Sequence, residues 1–253
     1  MRRTIAIGDI HGKVIPLQSL INWINPTKDD TIVFLGDYVD RGESSKDVIQ
    51  TIIDLKEQTN VIAIRGNHEE MMLQGLQLFD LNSVDYHSNG GYNDELIQQF
   101  AKHNQWWFRH GGEQTIESYD GEYANIPDSH REFLNSTLDY HETSNHIFTH
   151  ANIDILKPNL AENDNQWLRW TRCHDGYPGK DWRHITNRTV FVGHTPQRQT
   201  KRPLFYRGMT CIDTGCGYSG GYSGGVLTAI NCDSNQYIQA DYTGKILQDY
   251  IKL

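Results

Sequence analysis

Thr4-Ile5-Ala6-Ile7-Gly8-Asp9-Ile10-His11-Gly12 decides the fold of this chain: a short apolar run breaks off at a glycine into an acid and a histidine. The same event recurs. Thr31 to Leu35 runs into Gly36-Asp37-Tyr38-Val39-Asp40-Arg41-Gly42, and Val61 to Ile64 into Arg65-Gly66-Asn67-His68-Glu69. His146 to Phe148 is followed by Thr149-His150-Ala151, and Thr189 to Val192 by Gly193-His194-Thr195. Short, continuously apolar runs are those expected of buried strands. Between the first three, Leu17, Leu20, Ile21 and Ile24, then Val48, Ile49, Ile52, Ile53 and Leu55, fall at helical spacing. A β-α-β-α-β start predicts an α/β chain with a mostly parallel sheet, whose ligand sites lie beyond the carboxyl ends of the strands. All five polar motifs fall at such ends, which predicts one rim of a sheet.

Outward from these motifs, the stretch from about Gln74 to Tyr140 is polar and aromatic. Trp106, Trp107 and Phe108 stand together there, the two tryptophans reading as core or helix-packing residues, and one helix is predicted from Ser129 to Leu138. Met209 to Ile212, Val226 to Asn231 and Tyr237 to Ala240 read as strands of a second, more antiparallel sheet. No repeat, proline-rich linker or charge block divides the chain, so residues 1–253 are expected to form one domain.

The 32 acidic and 23 basic side chains leave a formal charge of −9, which argues against nucleic acid as a partner. Mean hydropathy is −0.63, and no apolar run approaches the roughly 20 residues of a membrane span, so no membrane partner is expected. Arg2 and Arg3 precede an apolar run only from Ile5 to Ile7, too short for an export signal, and the expected location is cytoplasmic. Cys173, Cys211, Cys216 and Cys232 make no CxxC pair and read as reduced thiols.

Singly, a carboxylate or histidine at a strand end is more often a cap or a solvated side chain than a ligand. Five such motifs in one chain, most with glycines that let backbone approach a bound group, point to a shared site. Asp, His and Asn donors without thiolate suit Mn, Fe or Zn, with oxygen-rich coordination favouring Mn. Two metals need a shared ligand, and Asp37 offers one oxygen to each of two ions held about 3.5 to 4 Å apart. Two divalent ions outweigh Asp9, Asp37 and a hydroxide, so an anionic substrate is expected.

These motifs, from Gly8 to about Gly215, resemble the metallophosphoesterase superfamily and specifically its phosphoprotein phosphatase branch, in its compact bacterial and phage type. Asn89-Gly90-Gly91 and Trp170-Thr171-Arg172 belong to the same resemblance. It implies a calcineurin-like fold, a two-sheet β-sandwich flanked by helices. It implies two divalent ions, one on Asp9, His11 and Asp37, the other on Asp37, Asn67, His150 and His194. It further implies attack on phosphorus by a metal-bridging hydroxide, with His68 as general acid, Asp40 orienting it, and Arg41 and Arg172 gripping the phosphoryl oxygens. The implied activity is a serine/threonine protein phosphatase acting on phosphorylated proteins or peptides.

The sister group of dinucleoside polyphosphate hydrolases resembles the chain through GDxHG and GNH, but has Ala and Asp where this sequence has Asp40 and Glu69. A silent phosphate-recognising scaffold has no need of His68 and Asp40 beside the metals. The histidines outside the motifs, His87, His103, His110, His130, His141, His174 and His184, read as surface or core-edge residues. Gly215 to Gly225 lacks the Lys-Ser/Thr ending of a P-loop and reads as a mobile loop; by position it resembles the loop that overhangs the active site in the phosphoprotein phosphatases, which implies contact of Tyr218 and Tyr222 with substrate.

Overall fold

The computed structural model describes residues 2–89, 93–157, 159–175, 186–218 and 224–247. β1 (Thr4–Ile7), β2 (Thr31–Phe34) and β3 (Asn60–Ala63) lie side by side in parallel, joined through α1 (Val14–Ile24) and α2 (Ser45–Leu55). Successive strand side chains point to opposite faces. Ile5 and Ile7 therefore pack with Leu17, Leu20, Val48, Ile49 and Ile52 of the two helices, whereas Ala6 joins Val33, Phe148, Phe191 and Ile230 in a separate layer. Phe148 lies on β5 (His146–Thr149) and Phe191 on β6 (Thr189–Val192), strands of a second sheet, so this layer is the interior of a two-sheet sandwich. Ile147, Val190 and Val192 turn the other way, onto Ile153, Leu160 and Leu168. Burial on both faces explains why the strands read as unbroken apolar runs.

The expected division of strands between the sheets needs correcting. β8 (Met209–Cys211) pairs in parallel with β6, and is flanked by the antiparallel β7 (Leu204–Tyr206). β4 (Tyr140–Glu142) closes the other side of this sheet on β5. β9 (Leu227–Asn231), β10 (Tyr237–Ala240) and β11 (Ile246–Leu247) form no sheet of their own. They extend the first sheet, in the order β11-β10-β9-β1-β2-β3, through antiparallel pairing of β9 with β1. That pairing satisfies the second edge of β1 and carries Ile230 into the layer between the sheets.

The polar middle is more helical than its sequence pattern indicates: α3 (Asn67–Asn89), α4 (Asp94–Phe108), α5 (Gly112–Glu117) and α6 (Asp128–Asn135). The Asn93 side chain caps α4, its oxygen accepting from the Glu95 and Leu96 amides at 3.0 and 3.3 Å. α6 stops short of the predicted Leu138 because that residue donates its amide to the Ala63 carbonyl and pairs with Ile64 beside β3. Among the described residues no helix is long and apolar enough to cross a membrane. Gly90, Gly91, His184 and Tyr222 lie outside the described residues.

Candidate active site

The five motifs lie on two rims rather than one, the first three leaving the first sheet and the last two the second. Backbone bonds stitch the loops together. The Ile10 and His11 amides donate to the Asp37 carbonyl at 3.0 and 2.8 Å, and the Gly193 amide donates to the His150 carbonyl at 2.8 Å. Gly36 has φ +98, and a Cβ there would lie 2.7 Å from Gly66 N and 2.8 Å from His150 Nδ1, so only glycine lets three loops meet. His11, Asp37, Asp40, Arg41 and His194 also hold left-handed backbone, with φ of 50, 52, 72, 67 and 61, a region side chains adopt rarely and at a cost.

Glu69 explains how the second loop keeps this shape. From the first turn of α3 its Oε2 accepts from the amides of Asp37 and Gly66, at 2.8 and 2.9 Å, while Oε1 accepts from that of Tyr38 at 2.7 Å. Burial and the nearby Asp37 charge push this fully enclosed carboxyl up to about 7.

Asp37 stands at the centre. Its Oδ1 lies 3.3 Å from His150 Nε2 and its Oδ2 lies 3.5 Å from His11 Nε2, so the two oxygens face two different clusters. Burial alone would raise its pKa, but His150 and His68 beside it hold it well below the usual carboxylate range. Among the described residues two groups have donor atoms close enough for a shared ion, His11 with Asp37 and His68, and Asp37 with His150 and His194.

His194 tests whether a cation fits. Its Nε2 lies 2.9 Å from the Trp170 carbonyl, an acceptor, so that nitrogen carries the hydrogen. Burial and His150 pull the ring down to about 3, and a neutral imidazole has a single N–H. Its Nδ1 is then a lone pair, facing the Asn67 Oδ1 at 3.0 Å. His150 Nε2 reaches the same oxygen at 3.0 Å. His150, which burial would lower but Asp37 holds above its ordinary pKa, can donate there. The His194 Nδ1 and Asn67 Oδ1 lone pairs, however, face each other and repel unless a cation lies between them, which is the donor arrangement of a metal site. His11 is likewise held neutral by burial and Arg41, its Nδ1 facing the Val39 carbonyl at 2.9 Å and its Nε2 turned into the site.

Asp9 accepts the His194 amide on both oxygens, at 3.2 and 3.0 Å, and is pushed well up by burial, Asp213 and Asp37. It does not belong to the tighter first group, where distance brings in His68 instead. His68 Nδ1 is engaged with Asp40 Oδ2 at 2.6 Å. Asp40 is fully enclosed: Trp107 Nε1 donates to Oδ2 at 2.8 Å, and the Thr115 hydroxyl donates to Oδ1 at 2.7 Å while accepting from the Asp40 amide. Arg41 crosses the pocket, with Nη1 2.7 Å from His11 Nε2 and Nη2 3.2 Å from His68 Nε2.

The structure therefore gathers Asp9, His11, Asp37, Asp40, Arg41, Asn67, His68, His150 and His194 in one place. Arg172 is the exception. It is exposed, and among the described residues it bonds through its carbonyl, to Asn152 Nδ2 and the Asp175 amide, with no side-chain bond to a site residue. Trp107, read as a helix-packing residue, also bonds Asp40, and nothing in the sequence singles out Thr115 or the buried Asp213, which burial pushes up to about 6. A buried indole N–H needs an acceptor, but nothing in the sequence names Asp40 as the one.

A family model described as calcineurin-like phosphoesterase matches residues 2–198. Solved structures of similar fold include a candidate diadenosine tetraphosphatase, 18% identical over 94% of this chain and 92% of its own, at a TM-score of 0.63. A cold-active protein-tyrosine phosphatase of a psychrophilic Shewanella species is 17% identical over 100% of this chain and 81% of its own, at 0.61. A protein serine/threonine phosphatase from Saccharomyces cerevisiae is 16% identical over 90% of this chain and 72% of its own, at 0.55. Likeness at this identity speaks for the fold.

Proposed function

Because this chain belongs to the calcineurin-like phosphoesterase family, and so to a family of metal-dependent hydrolases, we propose that it is a serine/threonine protein phosphatase acting on phosphorylated peptides or proteins. The observation that carries the reading is the 2.6 Å bond between His68 and Asp40. A serine or threonine alkoxide is a poor leaving group and needs a proton as it departs. Asp40 fixes the Nδ1–H tautomer or, with a second proton on Nε2, stabilises the imidazolium that donates it. Trp107 and Thr115 hold Asp40 from α4 and α5, so the acid is positioned before substrate arrives.

In this reading Asp9, His11 and Asp37 hold one divalent ion, and Asp37, Asn67, His150 and His194 the other, with manganese favoured by the oxygen-rich donors. Such ions supply Lewis acidity towards phosphoryl oxygens and lower the pKa of water. Arg41 offers its planar guanidinium to the phosphate; Arg172 is left out of the reading. The chain is taken as one domain working in the cytoplasm, consistent with its four free and buried cysteines.

The second reading is a dinucleoside polyphosphate hydrolase, favoured by the extent of fold likeness to the candidate diadenosine tetraphosphatase. A polyphosphate leaving group is already a stable anion and makes little use of a clamped acid. Assayed side by side with manganese, phosphoserine and phosphothreonine peptides are expected to show the higher kcat/KM. A tenfold preference for diadenosine tetraphosphate moves the chain to the second reading.

A further inference from the structure

The Tyr218 ring lies against two guanidinium groups, Arg41 at 4.7 Å from the ring centre and Arg198 at 4.3 Å. Arg41 reaches from there onto His11 and His68. Arg198 stands outside, exposed, on an open groove of about 540 Å³ built from residues 196–200 and Tyr218. The groove follows directly on the Gly193-His194-Thr195 motif, so it adjoins the site covalently as well as in space.

Tyr218 is held in this position. A Cβ on Gly217 would come within 2.5 Å of His11 Cδ2, so the turn bearing Tyr218 sits directly on a site histidine. Gly215 leaves the room that the Arg198 side chain crosses, its Cγ lying 3.3 Å from where a Cβ would stand. Arg198 also belongs to a short basic segment with Lys201 and Arg202, on a chain whose formal charge is −9. An exposed cation such as Arg198 beside the site of an acidic protein attracts anionic groups there and repels cationic ones.

We propose that Arg198, positioned by Tyr218, is a specificity-determining residue that binds the carboxylate of an acidic side chain two or three residues from the phosphorylated serine or threonine. The proposal rests on the phosphatase reading above. The span supports it: the two guanidinium heads, measured through the ring centre, lie within about 9 Å of each other, and two to three residues of extended chain cover roughly 7 to 11 Å. A phosphate on Arg41 thus leaves a neighbouring carboxylate within reach of Arg198. The planar fork of a guanidinium matches a carboxylate in two parallel bonds.

The test is a panel of phosphoserine peptides of one parent sequence, carrying Glu, Gln or Lys at each of the three positions on either side, assayed with manganese. Wild-type protein is expected to prefer Glu to Lys by roughly tenfold in kcat/KM at a position two or three residues away, the size of one charge-assisted hydrogen bond. The difference should lie in KM. Arg198→Glu should invert the order and Arg198→Gln should level it, with melting temperatures matching wild type to show that both variants fold. Peptide turnover with no charge preference, or a preference that survives both substitutions, overturns the proposal and leaves the phosphatase reading standing. Hydrolysis of diadenosine tetraphosphate with no peptide turnover overturns both.

Discussion

The His68 ring and the Asp40 carboxylate meet at 2.6 Å, each at most 2% exposed. Burial shields this bond from solvent. His68→Asn is expected to lower kcat by about 10² to 10⁴-fold on phosphoserine peptides, the range for a missing general acid, and by less on p-nitrophenyl phosphate, whose leaving group needs less protonation. Equal losses on both substrates would give His68 another role, such as the metal ligation its distance to Asp37 allows.

Trp107→Phe keeps most of the buried ring and removes the N–H that reaches Asp40 Oδ2. A hydrogen bond to a charged group is worth about 1.5 to 3 kcal/mol, so urea unfolding should show a loss of that order. The alkyl-to-aryl kcat ratio should fall with it, while metal content stays at the wild-type value. A stability loss with an unchanged ratio would make Trp107 a packing residue and nothing more.

Metal content separates Asp37 from the other donors. With an oxygen facing each cluster, Asp37→Asn is expected to empty both positions, whereas His150→Ala should deplete one. Elemental analysis of the purified variants reads this directly. Equal metal content in the two variants would remove the shared role of Asp37, and full turnover after exhaustive chelation would remove the metals from the reaction.

Away from the site, Asp30 gives a pH-dependent contribution whose sign can be stated. Its side chain is 1% exposed and accepts from Arg3 Nε at 3.0 Å, Arg3 Nη2 at 2.6 Å and the Thr27 amide at 2.8 Å. The Arg3 side-chain bond, assisted by Thr27 and outweighing burial, holds the carboxyl below its ordinary range. A folded pKa below the unfolded value of about 3.9 gives stability that is present above that value and lost as pH falls through the folded pKa. Asp30→Asn should therefore cost about 2 to 3 kcal/mol at pH 7, and the gap to wild type should shrink below about pH 4. An unchanged gap between urea titrations at pH 7 and pH 3 would contradict the assignment.

Strands were legible where apolar residues fill a short run: Thr4–Ile7, Thr189–Val192 and Tyr237–Ala240 stand as read. Their partners were not, because β9 meets β1 across more than 200 residues and nothing local in Leu227–Asn231 names that edge. The motif residues were legible for a similar reason, each being fixed by the end of its own strand. Trp107 and Thr115 lie 67 and 75 residues from Asp40, and only the docking of α4 and α5 brings them there. Arg172, named from a short motif match, is exposed and makes no side-chain bond to the gathered site residues among the described residues.

The left-handed backbone at His11, Asp37, Asp40, Arg41 and His194 sets stability against activity within the same five positions. Glycine at any of them would relieve strain of about 1 to 3 kcal/mol and delete a side chain to which the proposed phosphatase reading gives a role. A search for more heat-resistant variants scored on folding alone would be drawn to these loops as well as to strained turns such as Asn25 and Asp120, and on the proposed reading its hits at these five positions would be inert. Selecting for turnover at raised temperature would steer the gains elsewhere, into the helices and outer strands, where backbone comfort and function do not compete.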